Sequence, residues 1–285
     1  MSDAAGWEPG PAVSALRPGV FEGQTAVVTG GGTGLGREVA LAFASLGGQV
    51  AIAGRNKERL DLVAGLIRAQ GGTCLVVPTN IREVAEVDAL RDAAYDAFGH
   101  VDHLVNNAGG QFPAAPSSIS DNGWRAVVDL NLNGTWNMTN RFMVPMAEAG
   151  FGSIVNVVHV YSFDRGASHF AHSGAARAGV VSMVKSLAPA LARRGVTINA
   201  FAPGTFSTPG MVSSELEKVG KTEASIVAEA TDLVGHFRMG TVDEMAAVIL
   251  FLCSPGGRYV SGATIVADLA SMQTNWVYLV PEGTL

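Results

Sequence analysis

A glycine-rich segment between two apolar runs is the feature of this sequence that most directly indicates chemistry. Residues 29–36 read Thr-Gly-Gly-Gly-Thr-Gly-Leu-Gly, after a strand-like run at 25–29 and before a helix-like run at 37–46. The glycines would let the backbone approach a pyrophosphate at a helix N-terminus, where free N–H groups and the helix dipole favour negative charge. We assign to this turn Gly30, Thr33, Gly34, Leu35 and Gly36. The segment predicts a dinucleotide-binding turn, although a tight turn without a ligand is the alternative.

The residues after the second strand-like run indicate which dinucleotide would bind. Proteins that prefer NAD usually have an Asp or Glu there, which binds the ribose hydroxyls. This chain has Gly54-Arg55-Asn56 instead, without an acid. The planar guanidinium of Arg55 suits a 2′-phosphate, so the sequence predicts NADP(H) as cofactor. The alternative is that Arg55 is an ordinary solvated charge at the start of a helix.

Composition restricts the other possibilities. The chain has 285 residues, 48% hydrophobic and 15% charged, which is enough for one α/β domain with a substantial core. A net charge of -6 offers no basic surface to nucleic acid or to an anionic membrane. The sequence shows neither a bilayer-spanning run nor the pattern of a secretory signal, so we expect a cytoplasmic protein. Cys74 and Cys253 are distant and the six histidines are scattered, which predicts packed, reduced thiols and no metal site.

Strand-like and helix-like runs alternate from residue 24 to about residue 267, which is typical of βα units around a parallel sheet. The predicted strands are 25–29, 50–53, 74–78, 103–106, 154–158, 197–201 and 264–267. The predicted fold is a single doubly wound, Rossmann-type α/β domain over residues 21–285, after an N-terminal extension of residues 1–20. It has a seven-stranded parallel sheet with helices on both faces. Residues 204–240 break the alternation where a helical lid over the strand ends would be expected.

Several of these motifs resemble those of the short-chain dehydrogenase/reductase superfamily. The glycine turn and Asn106-Asn107-Ala108-Gly109 stand in the superfamily's order along the chain. The resemblance implies that Asn80 lies near the adenine of the cofactor. It also implies that Asn107, Ala108 and Gly109 border the adenosine ribose, and that Pro203, Gly204 and Thr208 border the nicotinamide.

The catalytic Tyr-x-x-x-Lys pair of that superfamily is replaced in this chain. In ordinary members the Tyr is the acid/base of carbonyl chemistry and the Lys lowers its pKa, but those positions are Ser173 and Arg177 here. A serine hydroxyl does not readily supply the proton that a phenol gives, and arginine keeps its charge at any working pH. Alcohol or ketone chemistry is therefore disfavoured, and we expect Ser173 and Arg177 to hold the nicotinamide ribose.

A narrower resemblance is to the peroxisomal-type trans-2-enoyl-CoA reductases and the 2,4-dienoyl-CoA reductases. It rests on Asn80-Ile81-Arg82, on Gly110-Gln111-Phe112, on residues 123–135 and on residues 172–180, and it runs from about residue 16 to residue 268. In that group a Ser takes the Tyr position, with Lys or Arg four residues later. The segment Ala267-Asp268-Leu269-Ala270 departs from the usual Asp-Gly-Gly, which puts the local turn in doubt.

This resemblance implies a different use of the reaction site. Hydride addition to an electron-poor C=C bond places negative charge on the thioester oxygen, which then requires hydrogen-bond donors. Dienoyl-CoA reductases use a Tyr just after the fifth strand and an Asn, and Tyr161 and Asn131 match them. His159 could donate to the same oxygen, supply the α-carbon proton, or be packed at a strand end. For Tyr161 the alternative is a packed or surface aromatic.

The sequence thus favours NADPH-dependent reduction of the C=C bond of an enoyl-CoA or dienoyl-CoA. A second interpretation is a catalytically silent subunit that supports an active paralogue, and a third is an atypical alcohol or ketone dehydrogenase. Lys218, Lys221 and Arg238 could meet the phosphates of CoA, or could form a solvated helix face with nearby glutamates. We expect a homo-tetramer or a mixed oligomer with a related subunit, with an apolar tail at 276–280 in a subunit contact.

Overall fold

The fold is built on one parallel sheet, seen in a computed structural model that describes residues 7–162, 166–208, 216, 220–234 and 238–270. The strands are β1 Thr25–Thr29, β2 Gln49–Gly54, β3 Cys74–Pro78, β4 His103–Asn106, β5 Gly152–Val157, β6 Val196–Pro203 and β7 Thr264–Ala267. Within the described residues these seven strands are all parallel, in the order β3-β2-β1-β4-β5-β6-β7. The predicted doubly wound, seven-stranded parallel sheet is confirmed.

Helices cover both faces of the sheet. They are α1 Pro11–Ser14, α2 Gly34–Ser45, α3 Lys57–Ala69, α4 Val84–Phe98, α5 Asp121–Val128, α6 Gly134–Ala149, α7 Ala171–Ala192, α8 Glu223–Val234 and α9 Val242–Cys253. A π-helical segment, Asp129–Asn133, joins α5 to α6. Helices α2, α3 and α9 share one apolar core with the sheet, whereas α4, α6 and α7 share the other. Each strand in the middle of the sheet is therefore covered on both sides.

Strand β1 shows how the sequence specifies this arrangement. All five of its residues are buried. Ala26 and Val28 belong to the core under α2, while Val27 belongs to the core under α6 and α7. Successive side chains of a strand point to opposite faces, so the middle of a strand between two helical layers is apolar on both faces, and in β1 the two threonines stand at the ends.

Buried amides fix the carboxyl ends of three neighbouring strands. The Asn106 Nδ2 donates to Thr139 Oγ1 at 3.0 Å and to Asn156 Oδ1 at 2.9 Å. The Asn156 Nδ2 in turn donates to the carbonyl of Asn199 at 3.3 Å. These bonds link β4, β5 and β6 at the level where the loops that follow β4 and β5 begin. The Asn106 Oδ1 has no hydrogen-bond partner among the described residues, but the bonds of the two amide groups tie the three strands together beneath those loops.

The N-terminal segment is packed onto the domain from Trp7 onward. The Trp7 indole donates to both carboxylate oxygens of Glu38 at 3.1 Å. The amides of Ala12 and Val13 donate to the Asp243 carboxylate at 2.8 and 3.1 Å. The described part of the predicted extension, residues 7–20, therefore fastens α2 to α9.

The turn after β7 differs from a glycine turn, as the sequence departure indicated. Leu269 and Ala270 adopt φ values of 51° and 59°, in the left-handed region. The Ala270 amide donates to Asp268 Oδ1 at 3.0 Å, which helps to hold this conformation. Left-handed backbone costs a residue with a Cβ roughly 1–2 kcal/mol, so this turn is strained.

The two cysteines are buried and unpaired, which confirms the predicted packed thiols. Burial raises the pKa of each thiol to about 12. Across the described ranges, no helix is both long enough and apolar enough to cross a bilayer. Lys218 and the predicted apolar tail at 276–280 lie outside the described residues.

Candidate active site

A cavity of about 1330 Å³ opens at the carboxyl ends of the central strands. The strand order reverses between β1 and β4, and open α/β sheets bind ligands at such a switch point. Fifteen of the predicted site residues line the cavity: Gly30, Thr33, Gly34, Leu35, Arg55, Asn80, Asn107, Ala108, Gly109, His159, Tyr161, Arg177, Pro203, Gly204 and Thr208. Gly36, Asn131 and Ser173 are not in its lining. The structure therefore brings together most of the predicted site, but not all of it.

The glycine turn leaves the N-terminus of α2 open to a ligand. Gly34 has a φ of +53°, which favours glycine, and a Cβ on Gly36 would collide with the carbonyl oxygen of Gly30. Gly36 thus acts in close packing beneath the cavity. Thr33 makes no side-chain cap, and the first turn of α2 contains no acidic residue. The uncapped N–H groups and the close backbone fit the pyrophosphate of a dinucleotide.

Thr29 fixes the loop after β4 against the end of β1, although the sequence analysis did not include it. Its Oγ1 accepts from the amides of Asn107 and Ala108, both at 3.0 Å. Its carbonyl accepts from Asn107 Nδ2 at 3.0 Å. The available signal was a polar residue at the end of a buried strand. These bonds hold the wall predicted to lie beside the adenosine ribose.

The described cavity lining is positively charged. It includes Arg55, Arg59, Arg177 and Lys221, and none of the described lining residues is Asp or Glu. Arg59 was missed by sequence reasoning; it lies in the first turn of α3, four residues after Arg55. The Arg59 backbone lies against the glycine turn, since a Cβ on Gly32 would be 3.2 Å from Arg59 Cβ. A cationic cavity in a chain of net charge -6 fits a polyanionic ligand.

Arg177 lies under the middle of the cavity without an acidic partner. Its Nη1 donates to the carbonyl of Val157, and its guanidinium is close enough to Gly109 that a Cβ there would collide with it. Within the described residues no carboxylate pairs with Arg177. Burial lowers its pKa to about 10, which leaves it charged at neutral pH. A buried charge without a counter-ion is costly, so this position favours a polar or anionic ligand.

Ser173 does not reach the cavity, which corrects its predicted contact with the nicotinamide ribose. The residue is 1% exposed and lies in the first turn of α7. Its Oγ has no hydrogen-bond partner in the described part of the chain. One helical turn later, Arg177 does line the cavity. Of the two residues at the Tyr and Lys positions, only the arginine can touch a ligand in this structure.

Asn131 is also placed differently from the prediction. Its Nδ2 donates to the carbonyls of Gly110 and Val127, both at 2.8 Å, and its Oδ1 accepts from the Gly110 amide at 3.2 Å. A side-chain amide has two N–H groups, and both are used here. The π-helical segment turns this fully buried side chain toward the loop after β4. The direct donor role predicted for Asn131 is therefore corrected to a role in positioning that loop.

His159 and Tyr161 lie side by side after β5, on the wall of the cavity. Their rings are 4.6 Å apart and inclined by 35°. The Tyr161 amide donates to His159 Nδ1 at 3.2 Å. Burial, with a smaller effect from the charge of Arg177, lowers the pKa of His159 to about 4. The imidazole is neutral at working pH and is not an acid that could supply a proton there.

The predicted lid contributes part of the remaining wall. Leu216, Lys221 and Ile226 line the cavity, the last of them from α8. Arg238 pairs with Glu244 instead, with Nη2 2.6 Å from Oε1 and Nη1 2.9 Å from Oε2. Of the three cations predicted to meet CoA phosphates, Lys221 is at the cavity and Arg238 is engaged elsewhere.

The parallel sheet and the glycine turn are those of a Rossmann-type dinucleotide-binding protein, and comparison with known proteins agrees with this class. Residues 24–219 match the short chain dehydrogenase family. The chain belongs to this family.

Individual relatives come from different branches of this chemistry. The chain is 33% identical over 264 residues to a peroxisomal 2,4-dienoyl-CoA reductase of Mus musculus, covering 90% of this chain and 86% of the relative. Among solved structures, it resembles a citronellol catabolism dehydrogenase of Pseudomonas aeruginosa PAO1, at 36% identity and a TM-score of 0.77, covering 90% and 98%. It also resembles a variant of actinorhodin polyketide ketoreductase solved with NADPH, at 29% identity and a TM-score of 0.82, covering 91% and 100%. The chain is an oxidoreductase of this family.

Proposed function

We propose that this protein reduces the C=C bond of an enoyl-CoA or dienoyl-CoA thioester with NADPH. The observation that carries the proposal is the make-up of the cavity wall after β5. Tyr161, His159 and Arg177 line the cavity, whereas Ser173 is buried away from it. This wall offers hydrogen-bond donors and a fixed charge without the phenol–ammonium pair that carbonyl reduction uses. Relatives named 2,4-dienoyl-CoA reductases support the same substrate class.

The cofactor proposed is NADP(H). Arg55 and Arg59 line the cavity. The neighbouring residue Gly54 stands where an NAD-preferring protein usually has an acid that binds the ribose hydroxyls. Two guanidinium groups suit the 2′-phosphate, and the open N-terminus of α2 suits the pyrophosphate. Asn107, Ala108 and Gly109 would border the adenosine ribose. Arg177 would lie near the nicotinamide ribose, where the ligand's hydroxyls and phosphates would offset its buried charge.

In this reaction the bound cofactor supplies a hydride, and negative charge then develops on the thioester oxygen. Tyr161 is proposed to donate its hydroxyl hydrogen bond to that oxygen, in a cavity whose other walls include Leu130, Phe170 and Leu216. Apolar walls exclude water and strengthen such a bond. Asn131 holds Gly110 in place, and so sets the opposite wall. Lys221 is the described lid cation proposed to meet a phosphate of CoA.

We also propose a homo-tetramer, with a mixed oligomer with a related subunit as the other outcome of the test. Two separate surfaces expose large apolar side chains: Phe251, Tyr259, Val266 and Leu269 around β7, and Trp124, Trp136 and Val144 on α5 and α6. Two different self-complementary faces are what a closed tetramer requires. Sedimentation of the purified chain tests this, and Val266→Glu with Tyr259→Arg should yield dimers. A monomer at micromolar concentration would contradict the proposal.

The function is tested by following NADPH oxidation with 2-enoyl-CoA and 2,4-dienoyl-CoA thioesters of several chain lengths. We expect turnover with at least one of them and negligible NADP⁺ reduction with secondary alcohols. Ser173→Tyr should not create alcohol oxidation, because a phenol without a nearby ammonium remains protonated up to about pH 10. Robust alcohol oxidation by the unaltered protein would overturn the proposal. Inertness toward every thioester, with NADPH still bound, would support the silent-subunit interpretation.

A further inference from the structure

With both N–H groups of Asn131 committed to backbone carbonyls, Tyr161 is left without the second donor that an enolate oxygen needs. We propose that His159 is this second donor, acting as a neutral imidazole whose Nε2–H binds the thioester oxygen. This inference rests on the proposed function and deepens it. It assigns His159 the donor role and excludes the roles of proton source and of simple packing.

The tautomer of His159 is fixed by the backbone. Nδ1 accepts a hydrogen bond from the Tyr161 amide, and an amide N–H cannot act as the acceptor in that contact. Nδ1 therefore carries no proton, and in a neutral ring the proton is on Nε2. The His159 carbonyl also accepts from the Ser162 amide at 3.0 Å, so both ends of the residue hold the short turn Val160–Ser162. The ring cannot rotate without breaking this cap.

The surroundings of the ring keep it neutral, and His159 lines the cavity. The titratable and charged groups near His159 are Tyr161 on the same turn, Arg177 from α7, and His169, which lines the same cavity. Burial and the Arg177 charge both disfavour the imidazolium. Among the contacts of the described residues, none engages Nε2. A neutral donor that faces a cavity is available to a ligand at every working pH.

The proposed step balances without a proton from His159. The hydride forms a new C–H bond at the electron-poor end of the C=C bond, and the π-electron pair moves through the conjugated system onto the thioester oxygen. His159 and Tyr161 hold that oxygen by hydrogen bonds and keep their protons. A proton from solvent water then forms the second C–H bond as the electron pair returns from the oxygen. The thioester remains intact, and the cofactor is the reductant.

Two substitutions separate the donor from the cap of the turn. In His159→Asn, the side-chain oxygen can replace Nδ1 as the acceptor for the Tyr161 amide, but the amide group does not reach the position of Nε2. In His159→Gln, the longer amide can place an N–H near that position, while the cap is lost. We expect His159→Asn to lower kcat about 10²-fold with NADPH affinity unchanged. We expect the His159→Gln protein to have a kcat within several-fold of the unaltered protein and a lower melting temperature.

A spectroscopic measurement makes the test independent of turnover. A 2-enoyl-CoA carrying ¹³C at the thioester carbonyl is bound together with NADP⁺, which cannot donate a hydride. The carbonyl stretch should shift to lower frequency in the unaltered protein and in His159→Gln, and much less in His159→Asn. His100→Asn, at an exposed histidine on the far side of the sheet, is the control and should leave both the shift and kcat unchanged.

The outcomes distinguish this inference from the proposed function. Suppose that the unaltered protein and His159→Asn turn over the substrate while His159→Gln is impaired. This result would show that His159 serves only to cap the turn, and it would overturn the inference but not the proposed function. An equal carbonyl shift in both His159 variants would do the same. Failure of the unaltered protein to bind or reduce any enoyl-CoA would overturn the proposed function, and the donor role with it.

Discussion

The two halves of the cavity differ in how closely they match an ordinary member of the family. The nucleotide half, defined by the N-terminus of α2, Arg55, Arg59 and the Asn107 loop, has the open helix end and backbone contacts that a dinucleotide needs. The reaction half is defined by His159, Tyr161 and Arg177, and we propose that Ser173 and Arg177 take the places of the family's Tyr–Lys pair there. The nucleotide half would bind its ligand with backbone groups and two arginine side chains, whereas the reaction half would act through side chains alone.

The two halves differ in which of their parts can change without loss of the fold. The nucleotide half is specified by close packing, because a Cβ on Gly36 would collide with the Gly30 backbone. Substitution there would disturb the switch point of the sheet itself. In the reaction half, Ser173 is buried in α7 and the wall is formed by side chains from a short turn after β5. Those side chains can be exchanged while β5 and α7 remain in place, so the chemistry can change while cofactor binding is retained.

The largest effect that would separate the two halves is expected from Tyr161→Phe. Loss of one preorganised donor to the thioester oxygen should lower kcat for an enoyl-CoA or dienoyl-CoA by roughly 10²-fold. The dissociation constant of NADPH should not change, because the hydroxyl belongs to the reaction half. Steady-state kinetics and fluorescence titration with NADPH measure the two quantities.

Tyr95→Phe is the matched control for this substitution. Tyr95 lies on α4 and is not in the cavity lining. The substitution Tyr95→Phe removes a phenol hydroxyl, as Tyr161→Phe does. It should leave kcat unchanged. Full turnover by Tyr161→Phe would contradict the assignment of Tyr161 to the reaction half. A loss of NADPH affinity as large as the loss of kcat would contradict it as well.

A smaller effect of the opposite kind is expected in the nucleotide half. NADPH should bind at least tenfold more tightly than NADH, which is a difference in binding free energy on the order of 1.4 kcal/mol. Arg55→Ala should remove most of that difference and leave kcat at saturating NADPH unchanged. Arg59→Ala should act in the same direction. Lys57→Ala is the control, since Lys57 is exposed and pairs with Asp61 on the same helix. Equal dissociation constants for the two nucleotides in the unaltered protein would contradict the assignment of Arg55.

The pH dependence should also differ between the halves. The pKa of His159 is lowered to about 4 and that of Arg177 to about 10, so neither changes charge between about pH 5 and about pH 9. We therefore expect kcat to be flat over this range. NADPH affinity should instead weaken below about pH 6, where a phosphate monoester gains its second proton and loses charge opposite Arg55. Profiles of kcat and of the NADPH dissociation constant test both statements, and an inflection of kcat near pH 7 would contradict the first of them.

The sequence predicted the nucleotide half better than the reaction half, for physical reasons. The strand positions, the glycine turn and the place of Arg55 after β2 follow from local patterns, because apolar runs and glycine spacing determine backbone position. The bonds of Asn131 depend on a π-helical segment that no local pattern predicts, and the burial of Ser173 depends on how the first turn of α7 packs. Thr29 and Arg59 were missed because their contacts are with residues distant in the chain, at the loop after β4 and at the glycine turn.

The smallest effect is expected where the chain departs from the family at the turn after β7. This turn packs against Gly204 at the edge of the cavity, yet it contributes no side chain to the lining, so its substitution should change stability and leave both halves active. Ala270 has a φ of 59°, and glycine adopts this conformation without steric cost. Relief of that strain, offset in part by the greater freedom of glycine in the unfolded chain, should let Ala270→Gly raise the free energy of unfolding by about 0.5–1 kcal/mol. Ala263→Gly, just before β7 and without a positive φ, should lower it by a similar amount. Urea unfolding of both variants measures the difference, and a loss of stability in both would show that the turn is not strained.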